Sequence, residues 1–242
     1  MTIHSVAASS SARRLAVDRT PSAAERRDTI LRAATKVFAQ NGFFQSQVAD
    51  VARVAGVAAG TVYLYFKGKD DILVSIFERS MKDVLAEGRA AVAEVADPAE
   101  RLRTLARLHL GRLGRDKDLA VVFQVELRQS VKFMERFSES FLQDYFTLIR
   151  QAIADGQHAG VFRKSLNPTT ATKIFFGALD EMATNWVLSR RKYTLAAEAD
   201  AVVDLFLNGV TTPAPPEAGQ DNAGLARRNR SATTQRPQVE PR

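Results

Sequence analysis

The chain has no cysteine, three scattered histidines and no long hydrophobic run. Without cysteine it forms neither a disulfide bond nor a Cys-based metal site. The apolar runs, such as residues 119–123, are far too short to cross a bilayer, and residues 1–20 lack the continuous apolar stretch of a signal peptide. We therefore expect a soluble, cytoplasmic protein with no metal site, no cofactor and no membrane association.

Proline is scarce in the body of the chain, since five of the eight prolines lie within residues 213–241. They are surrounded there by Gly, Ala, Asn, Gln and Arg, a composition that buries too little apolar surface to offset the entropy of ordering. We expect a disordered tail over residues 212–242. Residues 1–20, rich in Ser and Ala, are expected to form a disordered arm.

Between these ends the apolar residues recur at helical spacing and no convincing strand pattern appears. Residues 118–130 begin apolar on nearly all sides, which predicts a buried central helix. The sequence therefore predicts an all-α protein of about nine helices. We expect a three-helix DNA-binding domain over residues 21–68 and a larger ligand-binding and dimerisation domain over residues 69–211.

The positive charge is concentrated near the start of the chain. Residues 1–70 hold ten Lys and Arg against five Asp and Glu, whereas residues 71–211 hold nineteen of each. A basic segment on a neutral body suggests a polyanionic partner for that segment. The same distribution also suits solubility alone, so charge does not decide between the two.

Residues 48–66 have the spacing of a helix-turn-helix. Ala52 is small where two helices cross closely, and Gly56 follows at the turn, where a positive φ favours glycine. The second helix is predicted from Ala59 to Phe66. Its expected DNA-facing positions are Gly60, which lets the backbone approach a phosphate, and Thr61, Tyr63 and Tyr65.

An ordinary helical hairpin is the alternative interpretation of this spacing. Polar and basic residues around the motif favour DNA, because Ser46, Gln47, Lys67 and Lys69 offer hydrogen bonds or charge to backbone phosphates. We therefore predict that Ser46, Gln47 and Lys69 take part in DNA binding.

Residues 25–75 resemble the DNA-binding domain of TetR-type repressors. The match runs through Asn41-Gly42-Phe43, Ala55-Gly56-Val57, residues 60–66 and residues 69–73. The resemblance implies a dimer that binds a palindromic operator and is released by a small molecule.

A narrower resemblance, to the fatty-acid-degradation repressor branch (FadR/YsiA type) of that family, rests on residues 45–48, 125–130, 176–181, 186–187 and 192–193. It implies long-chain acyl-CoA as the effector. A drug-responsive efflux regulator is the nearest alternative within the family.

The predicted ligand residues combine an apolar channel with a few cations. Gln124 and Arg128 share a helix face, and a buried Arg needs a partner. That partner is either an internal carboxylate, Asp180 or Glu181, or an anionic ligand at the mouth of a cavity. The remaining candidates are Phe123, Phe133, Phe176 and Trp186 for the channel, with plain core as the alternative, and Arg107 for the nucleotide, with a solvated face as the alternative.

The last two helices are predicted to form a four-helix dimer interface with a second copy. Gly177 and Ala178 permit close helix approach. The apolar contact area is predicted to come from Leu179, Met182, Trp186, Val202, Leu205 and Phe206.

Two functions of other classes are disfavoured. An acyl-CoA-handling enzyme would need a catalytic constellation, and the sequence has no Gly-x-Ser-x-Gly elbow, no Gly-rich phosphate loop and no His placed beside a plausible acid pair. A non-specific DNA-packaging protein would show no preference for a palindrome. For the repressor, we expect the helix after Lys69 to transmit ligand binding to the DNA-binding domain as a population shift.

Overall fold

The protein is all-helical over residues 21–129 and 141–210, the part of the chain that the computed structural model describes. Predictions for residues 1–20, Phe133 and residues 212–242 lie outside these ranges. Within these ranges the α-helices are α1 (Ala23–Asn41), α2 (Val48–Ala55), α3 (Ala59–Tyr63), α4 (Lys69–Ala93), α5 (Pro98–Arg115), α6 (Lys117–Val121), α7 (Phe141–His158), α8 (Pro168–Leu188) and α9 (Ala199–Val210). This confirms the predicted all-α fold.

Local capping sets where several helices begin. At the start of α1, the Ser22 hydroxyl accepts a hydrogen bond from the Glu25 N–H while the Glu25 carboxylate accepts one from the Ser22 N–H. This reciprocal pair satisfies two of the free N–H groups of the first turn. Asp97 and Asn167 cap α5 and α8 with side chains that accept hydrogen bonds from backbone N–H groups of the first turn. Each is followed by a proline at the first helical position.

Two hydrophobic cores share one long helix. The first core unites α1–α3 with the start of α4, where Ile72, Leu73, Ile76 and Phe77 are buried. The second core lies among α5, α7, α8 and α9 and takes Met81 and Leu85 from farther along α4. Helix α4 therefore belongs to both cores, and a change in its tilt is felt on either side.

The buried central helix predicted over residues 118–130 is interrupted. Helix α6 ends at Val121, a π-helical turn spans Val122–Glu126, and a short 3₁₀ turn spans Leu127–Gln129. Val122 and Leu127 are both buried in the first core. Residues five apart lie on different faces of an α-helix, whereas the wider π turn closes i to i+5 and brings them together. Packing against the first core accounts for the departure from a regular helix.

No helix within the described ranges is long and apolar enough to span a membrane. The same residues contain no cluster of three or more His, Asp or Glu placed to hold a metal ion.

Candidate DNA-binding surface and ligand pocket

The helix-turn-helix is formed by α2 and α3. Val51, Ala52 and Val62 are buried where the two helices pack. Gly56 ends α2 with φ 70° in the left-handed region, a conformation that costs glycine little. The Val57 N–H then donates to the Ala52 carbonyl at 3.0 Å and closes the turn. The geometry is that of the predicted motif, with α3 free to face a partner.

Helix α3 presents a mixed surface of polar, aromatic and apolar side chains. It ends at Tyr63 rather than at the predicted Phe66, so Tyr65 lies in the turn that follows. Tyr63 is 58% exposed, and Gly60 is exposed with open space where a side chain would stand. Thr61 and Tyr65 are half-buried. Leu64, which the sequence analysis did not select, is 81% exposed and extends the same surface.

The two residues before α2 differ in what they offer to DNA. Gln47 is exposed, and its backbone N–H donates to the Asp50 carboxylate at 3.1 Å. That bond, together with Arg53, lowers the pKa of Asp50. Ser46 is buried, and its hydroxyl donates to the Gly42 carbonyl at 2.7 Å. The Ser46 side chain is thus used inside the domain and not presented to a phosphate.

Lys69, at the start of α4, is held by the backbone of the α1–α2 connection. Its ammonium group donates to the carbonyls of Phe43, Phe44 and Ser46 at 3.1, 2.9 and 3.2 Å. It also lies 4.9 Å from the centre of the Phe43 ring. Three carbonyls already take its donors, which ties the start of α4 to the turn before α2.

An apolar cavity of about 230 Å³ lies between α4, α5, α7, α8 and the π turn. Ligand pockets usually measure about 300–1,000 Å³, so a long ligand must move parts of this wall. The apolar lining comprises Met81, Val84, Leu113, Phe123, Leu127, Leu142, Tyr145 and Phe176. The polar lining comprises Ser80, His109, Arg112, Gln124, Arg128 and Asp180.

One end of the cavity carries a closed polar network. The Arg128 guanidinium meets the Asp180 carboxylate at 2.5 Å. Gln124 donates to the other oxygen of Asp180 at 3.1 Å and accepts a hydrogen bond from the Thr184 hydroxyl at 2.9 Å. The sequence left either an internal carboxylate or an anionic ligand as the partner of Arg128, and in the structure the partner is the internal carboxylate of Asp180.

His109 is one of the polar pocket residues that the sequence-based prediction did not include. Its Nδ1 lies 3.2 Å from the Tyr145 hydroxyl, and its Nε2 is enclosed without a hydrogen-bond partner among the described residues. Burial lowers the pKa of His109 to about 4, although the Asp180 charge acts in the opposite direction. Burial also raises the pKa of Tyr145. The signal was present, because Leu105, His109 and Leu113 recur every four residues along α5.

The predicted ligand residues separate into two groups. Phe123, Gln124, Arg128 and Phe176 line the cavity. Trp186 does not line it, because it packs on the second core and its indole N–H donates to the Tyr193 carbonyl at 3.0 Å. Arg107 lies on the surface of α5, outside the lining.

Carboxylates already pair most of the basic residues of α5. Arg107 contacts Asp200 at 2.9 Å and Glu100 at 3.1 Å. The bond to Asp200 raises the pKa of Arg107 and correspondingly lowers that of Asp200. Equivalent pairs join Arg101 to Asp155, Arg103 to Asp204, and Arg112 to Asp83 and Glu87. The α5 cations therefore tie helices together, and the structure does not gather them into a nucleotide site.

Glu126 connects the pocket wall to the DNA-binding domain. It is buried at the end of the π turn, and its carboxylate accepts a 2.7 Å hydrogen bond from the backbone N–H of Phe43. In the same turn, Phe123 lines the pocket, and the centre of its ring lies 4.0 Å from the centre of the Phe77 ring in α4. One short segment thus contacts the cavity, α4 and the α1–α2 connection.

The outer faces of α8 and α9 carry exposed apolar side chains. Ile174 and Leu188 of α8 are 57% and 68% exposed, and Leu205 of α9 is 77% exposed. Gly177 is exposed and has open space around the position of a Cβ atom. Ala178, Met182, Val202 and Phe206 are half-buried, whereas Leu179 is fully buried and has no surface left for a partner.

An exposed helix-turn-helix joined through α4 to a helical body with an apolar pocket defines a one-component transcriptional regulator. Residues 30–76 match the family of bacterial regulatory proteins of the tetR type, and residues 77–209 match the C-terminal region of YsiA-like proteins. The chain belongs to the TetR family and carries a YsiA-like C-terminal region.

Individual relatives agree with this assignment. The fatty acid metabolism regulator protein of Bacillus subtilis is 36% identical over 181 residues, 75% of this chain and 93% of that protein. The fatty acid degradation regulator FadR of Bacillus halodurans superposes with a TM-score of 0.74 at 37% identity, over 79% of this chain and 98% of the other. FadR of Bacillus subtilis in complex with stearoyl-CoA superposes with a TM-score of 0.72 at 36% identity, over 75% and 98%. These relatives are transcriptional regulators.

Proposed function

We propose that this chain is a dimeric repressor of fatty-acid metabolism genes that leaves its operator when it binds a long-chain acyl-CoA. The observation that carries the proposal is the stearoyl-CoA complex of a relative that matches this chain at 36% identity over 98% of that relative's length. The apolar cavity within the YsiA-like region supports it, because an acyl chain needs a dry, apolar site.

For DNA binding, we propose that α3 enters the major groove. Gly60, Thr61, Tyr63 and Tyr65 contact the duplex from that helix and the turn after it, and Gln47 contacts a phosphate at the start of α2. Ser46 and Lys69 act from within the domain and hold the α1–α2 connection against α4.

A dimer places two such helices at one helical repeat of DNA, about 34–36 Å apart. We propose that the outer faces of α8 and α9 form the interface. Gly177 and Ala178 allow close approach, while Met182, Val202, Leu205 and Phe206 supply apolar area. Ile174 and Leu188 extend the same interface, and their exposure supports this choice.

Release follows from the placement of the pocket wall. A ligand larger than the cavity displaces the π turn and α4, and both lead to the α1–α2 connection. The ligand shifts the equilibrium only by its preference for the state that does not fit the operator.

The test starts with selection of bound duplexes from a random pool, followed by titration of the complex with acyl-CoAs of medium to long chain length. We expect a palindromic sequence, and dissociation by the longer chains in preference to the shorter ones. Recovery of a palindrome that no acyl-CoA releases would refute the effector and leave the repressor. A pool with no common sequence would refute the repressor itself.

Free coenzyme A and a panel of hydrophobic cationic drugs serve as controls in the same titration. Release by the drugs and not by acyl-CoA would identify a drug-responsive regulator. Incubation with acyl-CoA followed by product analysis tests for an enzyme, and we expect the thioester to be recovered intact.

A further inference from the structure

The pocket has more polar groups than an acyl chain needs, and they sit together at one end. His109, Gln124, Arg128 and Asp180 all line the cavity. Most of their hydrogen-bonding capacity is used internally, since Gln124 and Arg128 both bind Asp180. The Nε2 atom of His109 has no such partner within the part of the chain that the structure describes.

Charge at this end of the pocket is compensated. Arg128 is paired with Asp180, and Arg112 is paired with both Asp83 and Glu87. His109 is neutral at physiological pH because burial disfavours its charged form. Because the two cations in the described lining, Arg112 and Arg128, are both paired, this end does not favour a carboxylate, whose burial without a counter-charge is costly. An uncharged polar group suits it better.

An enclosed donor without an acceptor is a cost to the ligand-free protein. The Tyr145 hydroxyl, 3.2 Å from Nδ1, can donate to that nitrogen, which leaves the proton of the neutral ring on Nε2. The His109 ring packs edge-on against Phe176, with ring centres 5.8 Å apart, and Phe176 lines the same cavity. Both rings belong to the cavity lining, so a ligand that rearranges this wall can reach the Nε2–H of His109.

Resting on the proposed acyl-CoA effector, we infer that His109 donates a hydrogen bond from Nε2 to the thioester carbonyl oxygen of the ligand and thereby selects an acyl thioester over other lipids of the same length. Tyr145 positions the ring and sets its tautomer. The acyl chain then lies along the apolar lining, past Phe176 toward Met81 and Val84.

The test compares two ligands that differ only at this group: palmitoyl-CoA, and S-hexadecyl-CoA, whose thioether has no carbonyl and whose sulfur is a weak acceptor. Binding is measured by calorimetry on the full-length protein without DNA. We expect wild-type protein to bind the thioester roughly tenfold more tightly than the thioether.

The variant His109→Phe is expected to bind the two ligands equally, because it keeps a ring of similar size but has no donor. His109→Gln retains a donor and is expected to recover part of the preference. Tyr145→Phe is expected to weaken the preference, since it removes the hydroxyl that sets the tautomer. Thermal unfolding of each variant confirms that the protein used in calorimetry is folded.

The inference is overturned if wild-type protein binds both ligands equally, or if His109→Phe keeps the wild-type preference. If His109→Phe does not fold, the ratio of the two ligand affinities is measured in His109→Gln and Tyr145→Phe instead. The full wild-type preference in both variants would overturn the inference. Failure of both ligands to bind wild-type protein is a different result, because it rejects the acyl-CoA effector itself and the His109 contact with it.

Discussion

At the residue scale, Lys69 joins the start of α4 to the α1–α2 connection. Its ammonium group donates to three backbone carbonyls of the α1–α2 connection, and losing such bonds costs about 1–3 kcal/mol. We expect Lys69→Met to lower the free energy of unfolding by this amount and to leave the salt dependence of operator binding unchanged. Denaturant unfolding and operator affinity over a range of salt concentrations measure the two effects.

Lys67→Met is the matched control, since Lys67 is an exposed lysine close to Lys69 in the chain. It is expected to keep its stability within about 0.5 kcal/mol. Loss of a phosphate contact reduces the slope of log K against log salt by about one. If Lys69→Met reduced that slope without losing stability, Lys69 would be a DNA contact after all.

His109 makes the stability of the fold depend on pH. Burial lowers its pKa from 6.5 to about 4, so between these values the unfolded chain binds a proton that the folded chain does not. Stability from this group is therefore fully present above pH 6.5 and is lost as the pH falls toward 4. We expect the free energy of unfolding to drop by about 2 kcal/mol between about pH 6.5 and about pH 5.

The variant His109→Gln isolates this contribution in denaturant unfolding at the two pH values. Other groups, including the carboxylates Asp50 and Asp200 whose pKa values are lowered, titrate in both proteins and cancel in the difference. A wild-type protein that loses no more stability than the variant would show that His109 is not buried in its neutral form.

At the scale of elements, the π turn connects the pocket to the DNA-binding domain. Glu126, at its end, accepts the Phe43 N–H at 2.7 Å, and Phe123 of the same turn lines the pocket. We expect Glu126→Ala to weaken the coupling between ligand and operator. The expected measurement is a fold-change in operator affinity on adding acyl-CoA that falls from within the usual range of about 5–150 to below about threefold, while ligand affinity is retained.

Glu126→Gln is the control for this experiment, because its amide oxygen can accept the same hydrogen bond. It is expected to keep most of the coupling. An alanine variant that responds to acyl-CoA as fully as wild-type protein would place the transmission elsewhere, for instance in α4, which also contributes to both cores.

Elements whose conformation depends on adjacent residues can be predicted from the sequence, whereas elements set by packing against distant residues cannot. The caps at Asp97 and Asn167 and the turn at Gly56 each depend on a few adjacent residues, so the local sequence determines them. The π turn depends on the first core, where Val122 and Leu127 pack against residues distant in sequence. The same limit applies to Glu126, whose partner Phe43 is 83 residues away.

At the scale of the whole molecule, the pocket shows which lining residues can be predicted from the sequence. Local helical spacing and composition predict Phe123, Gln124, Arg128 and Phe176 as ligand residues, and the structure places all four in the cavity lining. Arg107 was selected for its charge, and its pairing with Asp200 requires α5 and α9 to be neighbours. Charge pairs between helices are a property of the assembled fold, so local composition does not distinguish a paired cation from a free one.

The proposed dimer gives the last prediction. Apart from its own stretch of helix, no described residue has an atom within 4 Å of the place that a Cβ atom of Gly177 would occupy, so Gly177→Leu is expected to fold normally and to obstruct only a partner. Overpacking costs about 1–3 kcal/mol at each of two sites related by symmetry, which corresponds to a dimer dissociation constant raised at least about thirtyfold. Sedimentation equilibrium measures it, and binding to a palindromic operator is expected to weaken in parallel.

Val161→Glu is the control for the dimer, because it changes an exposed apolar residue that belongs to neither α8 nor α9. It is expected to leave the dimer dissociation constant and operator binding intact. The two variants together separate loss of one particular interface from a general effect of altering exposed apolar surface. If Gly177→Leu dimerised as tightly as wild-type protein, the interface would have to lie on another face.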